Sequence, residues 1–112
     1  MTKEQMRMIN ERYGGDLRTD AEIETALDSG KGKNVYRKVA YLWRAILVGH
    51  PYTDGNKRTA LMVALTIFKK CKMKFGKETK EKIVTEIKKI ASENITDINR
   101  IERLIRYAVT GD

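Results

Sequence analysis

The sequence predicts an all-α fold, a compact single-domain helical bundle packed around one buried central helix. Three observations point there. Apolar residues recur at helical spacing in six separate stretches of the 112 residues, as one buried stripe per helix requires. Each stretch is bounded by glycine, by a capping residue or by the single proline, and no run alternates as a strand would. One stretch, Ala60 to Phe68, is apolar nearly all round apart from Thr66, which suits the centre of a bundle rather than its surface.

The first helix is expected from Thr2 to about Tyr13. Thr2 and Gln5 make a capping box, Met6, Ile9 and Tyr13 give a modest stripe, and Gly14-Gly15 stop it. A second capping box, Thr19-Asp20-Ala21-Glu22, opens a helix that buries Ile23, Ala26 and Leu27. It ends before Gly30-Lys31-Gly32-Lys33-Asn34, whose glycines mark a loop. The third helix is expected from about Val35 to Val48, with Val39, Leu42, Trp43, Ile46 and Leu47 inward and Trp43 a core residue. Gly49 ends it, and Pro51 prevents its continuation because the residue before proline disfavours helical dihedrals. The fourth, central helix is expected from Asn56 to about Met73. The fifth runs from Thr79 to about Ser92, burying Ile83, Val84, Ile87, Ile90 and Ala91. Thr96 or Asp97 caps a last helix that carries Ile98, Ile101, Leu104, Ile105 and Ala108 to about Val109.

The net charge of +8 raises the question of nucleic acid. The cations are densest from Lys69 to Lys89, but Glu78, Glu81 and Glu86 interleave them and no aromatic platform does. Such mixing reads as a solvated face, so nucleic acid is not expected as the principal partner; an anionic nucleotide or an acidic protein explains the sign as well. No apolar run reaches membrane length, and the polar start Met1 to Arg7 reads as helix rather than signal peptide. A single cysteine makes no intrachain disulfide. Cys71 is expected as a buried or partly buried structural thiol, and the cytoplasm as the compartment.

The chemistry concentrates in His50-Pro51-Tyr52-Thr53-Asp54-Gly55-Asn56-Lys57-Arg58, which holds the only histidine and the only proline. His50 can take or give a proton near neutral pH. Asp54 offers a hard oxygen ligand suited to Mg²⁺. Gly55 permits close backbone approach, and Asn56 can cap the following helix while donating an amide hydrogen. Lys57 supplies a point charge and Arg58 a bidentate fork for phosphate, above helical N–H groups that lack partners. Tyr52, alternating with His50 and Asp54, is expected to anchor the loop in the core. Singly, each has a plainer reading: a helix-ending histidine, an Asp-Gly turn, a solvated Lys-Arg pair. Their grouping between two apolar helices favours a phosphate-transfer site.

The stretch from His50 to Ala60 resembles the signature loop of the Fic/Doc (Fido) superfamily, His-x-Phe-x-Asp/Glu-Gly/Ala-Asn-Gly/Lys-Arg. Its Asn-Lys-Arg-Thr-Ala form, with Arg12-Tyr13-Gly14-Gly15 and the acidic segment Asp20 to Asp28, is closest to the Doc (death-on-curing) toxin branch. Tyr52 stands where the family usually has Phe. Lys57 and Leu61 stand where the AMP-transferring Fic branch has a glycine and a second arginine, so the resemblance favours transfer of the terminal phosphate. It implies ATP with its phosphates over the start of the fourth helix, held by Gly55, Asn56, Lys57 and Arg58. Mg²⁺ would sit on Asp54, and His50 would be the base toward a Ser or Thr hydroxyl of a protein target, by analogy a translation factor such as elongation factor Tu. A Fic-type adenylyltransferase and an inactive binding module are the alternative readings.

Two further expectations follow from the resemblance. Gly30 to Asn34 is either a plain connector or the relatives' flap, which would add a strand to the substrate from Lys31 to Val35. The relatives' built-in inhibitory pattern, Ser/Thr-x-x-x-Glu-Gly/Asn, is absent: Lys89 precedes Glu93-Asn94 by the required spacing. Inhibition is therefore expected in trans, from an antitoxin whose disordered acidic tail folds on binding.

Overall fold

The residues that repeat at helical spacing are the ones that leave solvent. In the computed structural model, which describes residues 1–111, Met6, Ile23, Val39, Trp43, Ile46, Ala60, Val63, Phe68, Ile83, Ile87, Ile101 and Ile105 are all buried. Six helices carry them: α1 (Lys3–Glu11), α2 (Ala21–Ser29), α3 (Val35–Trp43), α4 (Asn56–Lys70), α5 (Lys77–Glu93) and α6 (Ile98–Thr110). A single π-helical turn, Arg44–Val48, continues α3. The Cα radius of gyration is 12.7 Å, close to the value of about 13 Å for a compact chain of this length.

α4 is the hub. Ala60, Val63, Ala64, Ile67 and Phe68 face α1, α3, α5 and the π-helical turn. Trp43 is a core residue as expected, and its indole N–H donates to the Ala60 carbonyl at 3.0 Å, tying α3 to the first turns of α4. Phe68 meets Phe75 edge to face at 5.3 Å. Burial is not complete all round: Leu61, Met62, Leu65 and Thr66 form a half-buried side. α6 is fastened to α3 by Arg37 and Glu102 at 2.7 Å, with the Arg106 guanidinium 4.6 Å above the Tyr36 ring.

The ends show where local chemistry departs from the sequence expectation. The Thr2–Gln5 box forms in both directions, but α1 stops at Glu11 and a turn through Gly14, φ +78°, follows. The second box does not form. Asp20 holds the N-cap position without a side-chain bond to the helix, its carboxylate drawn instead to Lys3 at 3.2 Å. The π-helical turn replaces the last turn of a plain α-helix. α4 ends at Lys70, not Met73, because Lys72 turns left-handed (φ +60°) and Met73 N–H reaches back to the Phe68 carbonyl at 3.0 Å. That reversal leaves Cys71 exposed, not buried as expected. α5 starts at Lys77 and ends at the left-handed Asn94. Of the two candidate caps for α6, Asp97 is the one used, accepting from Asn99 N–H at 3.0 Å. Among the described residues no helix is long and apolar enough to cross a membrane.

Candidate active site

Between the π-helical turn and α4 the chain has seven residues in which to reverse, and their backbone is fixed at nearly every step. Gly49 has no room for a side chain: a Cβ there would stand 2.4 Å from the Ala45 carbonyl oxygen. His50 follows in the left-handed region, φ +49°, a conformation that costs a side-chain-bearing residue about 1 kcal/mol. It is held on both sides, by its own N–H to the Ile46 carbonyl at 3.3 Å and by the Pro51 carbonyl, which accepts from Arg18 N–H at 2.7 Å. The imidazole is exposed, whereas Pro51 and Tyr52 are buried.

Tyr52 is the anchor that the alternation predicts. It is 1% exposed and lies under the cleft, not in its wall. The Asn56 side chain brackets it, accepting from Tyr52 N–H at 3.3 Å and donating to the Tyr52 carbonyl at 3.0 Å. Asn56 is thus the first helical residue and a brace of the loop, while Gly55 is the N-cap, left-handed at φ +72°. Burial pushes the Tyr52 phenol up to about 12, and its oxygen has no hydrogen-bond partner among the described residues.

Two supports escaped the sequence reading. Asn10 on α1 is 1% exposed and spends both amide hydrogens on the loop, at 2.8 Å to the Asp54 carbonyl and 2.9 Å to Thr59 Oγ1. Gly15 passes so close that a Cβ would lie 2.4 Å from that same carbonyl oxygen. An asparagine in an amphipathic helix and the second glycine of a pair carry no signal that distinguishes them from a surface residue and a helix stop. The segment after Gly15 also lies along the loop. Leu17 bridges antiparallel to Tyr52, and Thr53 N–H donates to the Asp16 carbonyl at 2.9 Å. By contrast Gly30 and Lys31 share a groove with Lys70 and Cys71, about 21 Å along α4 from its start. Toward the cleft, then, Gly30 to Asn34 is a plain connector, and the flap expectation fails on distance.

The result is an open cleft of ≈ 440 Å³ walled by His50, Asp54, Gly55, Asn56, Lys57 and Arg58, with Tyr13 and Thr53 at its side. The first internal bond of α4 is Thr59 N–H to the Gly55 carbonyl at 2.9 Å, so the N–H groups of Asn56, Lys57 and Arg58 precede it at the positive end of the helix. Lys57 and Arg58 are exposed, and among the described residues neither is in an ion pair. Arg58 lies 5.8 Å above the Tyr13 ring, which steadies its guanidinium. Asp54 is exposed, with one oxygen accepting from Gly55 N–H at 2.7 Å. Among the described residues no three His, Cys, Asp or Glu side chains cluster as a metal cage. An open carboxylate such as that of Asp54 is the kind of protein donor that suits Mg²⁺ where phosphate oxygens and water complete the shell. His50, Asp54, Lys57 and Arg58 therefore reach one cleft. A model of the Fic/DOC family matches residues 2–68, a span that holds the entire cleft; no curated protein and no solved structure matches the chain.

Proposed function

The chain belongs to the Fic/DOC family, and from that premise we propose that it moves the terminal phosphate of ATP onto a Ser or Thr hydroxyl of a protein target. Members of this family generally transfer phosphate or nucleotide groups to proteins, using ATP and a divalent metal. The observation that carries the reading is the convergence of His50, Asp54, Lys57 and Arg58 on one cleft at the start of α4. Two cations that are unpaired among the described residues, with three helical N–H groups, suit a polyphosphate, and the exposed imidazole beside them suits proton transfer.

Phosphate is favoured over AMP by two positions. Lys57 fills the place where AMP-transferring relatives keep a glycine. Leu61, one turn further along α4, is half-buried against the core, so no second cation stands where those relatives use an arginine.

In the proposed reaction His50 takes the hydroxyl proton as the oxygen forms its bond to the terminal phosphorus. The bond from that phosphorus to the departing ADP oxygen breaks, and the electron pair leaves with ADP. Lys57 and Arg58 hold the phosphate oxygens; Asn56, by bracketing Tyr52, keeps the loop in register. Mg²⁺ on Asp54 would neutralise charge on the phosphates. Asp16 to Thr19 are exposed beside the loop, with Leu17 already bridged to Tyr52, which supports docking of an extended target segment by strand addition next to His50.

As a Doc-like toxin the protein would act in the cytoplasm under an antitoxin supplied in trans. The test is to incubate it with ATP and cell lysate and weigh the modified proteins. A phosphate-sized gain supports the proposal, a nucleotide-sized gain the adenylyltransferase reading, and no gain a binding module.

A further inference from the structure

We infer that the carboxyl-terminal end of α4 carries a binding site for a small amphiphilic carboxylate, separate from the transfer cleft. A groove of ≈ 370 Å³ opens there between α2, α3 and α4, within the size range of ligand pockets. Its floor is hydrocarbon, from Leu27, Val35, Leu42 and Ile67. Among the described residues its charged side chains are all cationic: Lys31, Lys38 and Lys70 line it, and no described aspartate or glutamate does. Lys31 is already paired with Asp28 at 3.1 Å. Lys38 and Lys70 are exposed and, among the described residues, in no ion pair.

The positive charge is felt locally. The Met1 amino group at the same groove is held below its usual range, first by burial and then by Lys70 and Lys38. An apolar floor alone would take any hydrocarbon, and lysines alone would take any anion. Together they select a molecule with a hydrocarbon tail and a single anionic head, placed where both Lys38 and Lys70 can reach it. A second groove of ≈ 420 Å³, beside the π-helical turn, makes the contrast: it is lined by Glu22 as well as Arg44, so its charges balance and no ion is called for.

The single thiol, Cys71, is exposed and lines the charged groove, which supplies a reporter independent of any transfer activity. Alkylation of Cys71 in the whole chain should be slowed saturably by decanoate at concentrations where it is monomeric. Decylamine, with the same tail and the opposite head, should not protect. The double variant Lys38→Glu, Lys70→Glu should melt like the wild type, both residues being exposed, and should bind decanoate about tenfold or more weakly. Equal protection by decylamine, or protection unchanged in the double variant, would overturn the inference. So would protection by phosphatidylglycerol vesicles without any by monomeric decanoate, which would assign the groove to a membrane surface instead.

Discussion

Both ends of α4 are rich in cations, yet the chain holds them in different ways. At the amino end Lys57 and Arg58 stand on a backbone pinned from outside the helix. Asn10 grips the Asp54 carbonyl, Asn56 brackets Tyr52, and Arg18 N–H reaches Pro51. At the carboxyl end Lys69, Lys70, Lys72 and Lys74 are exposed on a reversal secured chiefly from within, by Met73 N–H to the Phe68 carbonyl. Positive charge is common to both ends. What the proposed transfer site has beyond charge is a frame braced from several elements, and positioning supplies much of the rate in group transfer.

The sharpest way to break that contrast is at Gly15. Gly15→Ala sets a Cβ 2.2 Å from Asn10 Oδ1 and 2.4 Å from the Asp54 carbonyl oxygen, so the loop must shift, at a cost of about 3 kcal/mol. Thermal melting should fall by roughly 10 °C or more; a variant melting like the wild type would mean that α1 does not brace the cleft. Next in size is Asn10→Ala, which removes two donated bonds and should cost about 2 kcal/mol by urea titration. Lys74→Ala at the other end should stay within about 0.5 kcal/mol, and equal losses at the two positions would erase the difference between the ends.

Tyr52→Phe sharpens the comparison from below the loop. The folded phenol titrates near 12 against about 10 when unfolded. Because the folded value is raised, its share of stability is whole below pH 10 and is lost as pH climbs toward 12, up to about 2–3 kcal/mol. The phenylalanine variant should be as stable as the wild type at pH 7, or slightly more so, since it removes an unpartnered buried hydroxyl. It should lose less on going from pH 9 to pH 12 in parallel melts; parallel loss in the two proteins would place the phenol in water. The smallest effect belongs to Lys72→Gly. Relief of the left-handed strain, set against the greater freedom of an unfolded glycine, should leave a gain of about 0.5 kcal/mol in the same titration.

The order of the helices and the cast of the cleft could be read from the chain because both follow from local rules. Apolar spacing places α1 to α6, and His50, Asp54, Lys57 and Arg58 are too close in sequence to be far apart in space. The misses are contests that local rules do not decide. Asp20 can cap α2 or pair with Lys3, and only the approach of α1 settles it. Cys71 follows the apolar face of α4 in sequence, but Lys72 turns left-handed and delivers it to solvent. Asn10 lies 44 residues from Asp54, so its role appears only once α1 is packed. The flap expectation failed for the same reason: Gly30 to Asn34 reads as mobile in composition, yet its position depends on which end of α4 it meets.

The most direct measurement is transfer of label from ATP to protein in lysate by the wild type and by His50→Ala. Label from the terminal phosphate should appear on protein and fall by about a hundredfold or more in the variant, whose melting should be unchanged because the imidazole is exposed. Undiminished labelling by His50→Ala would contradict the role given to this histidine, and label arriving from the α-phosphate instead would contradict phosphate transfer.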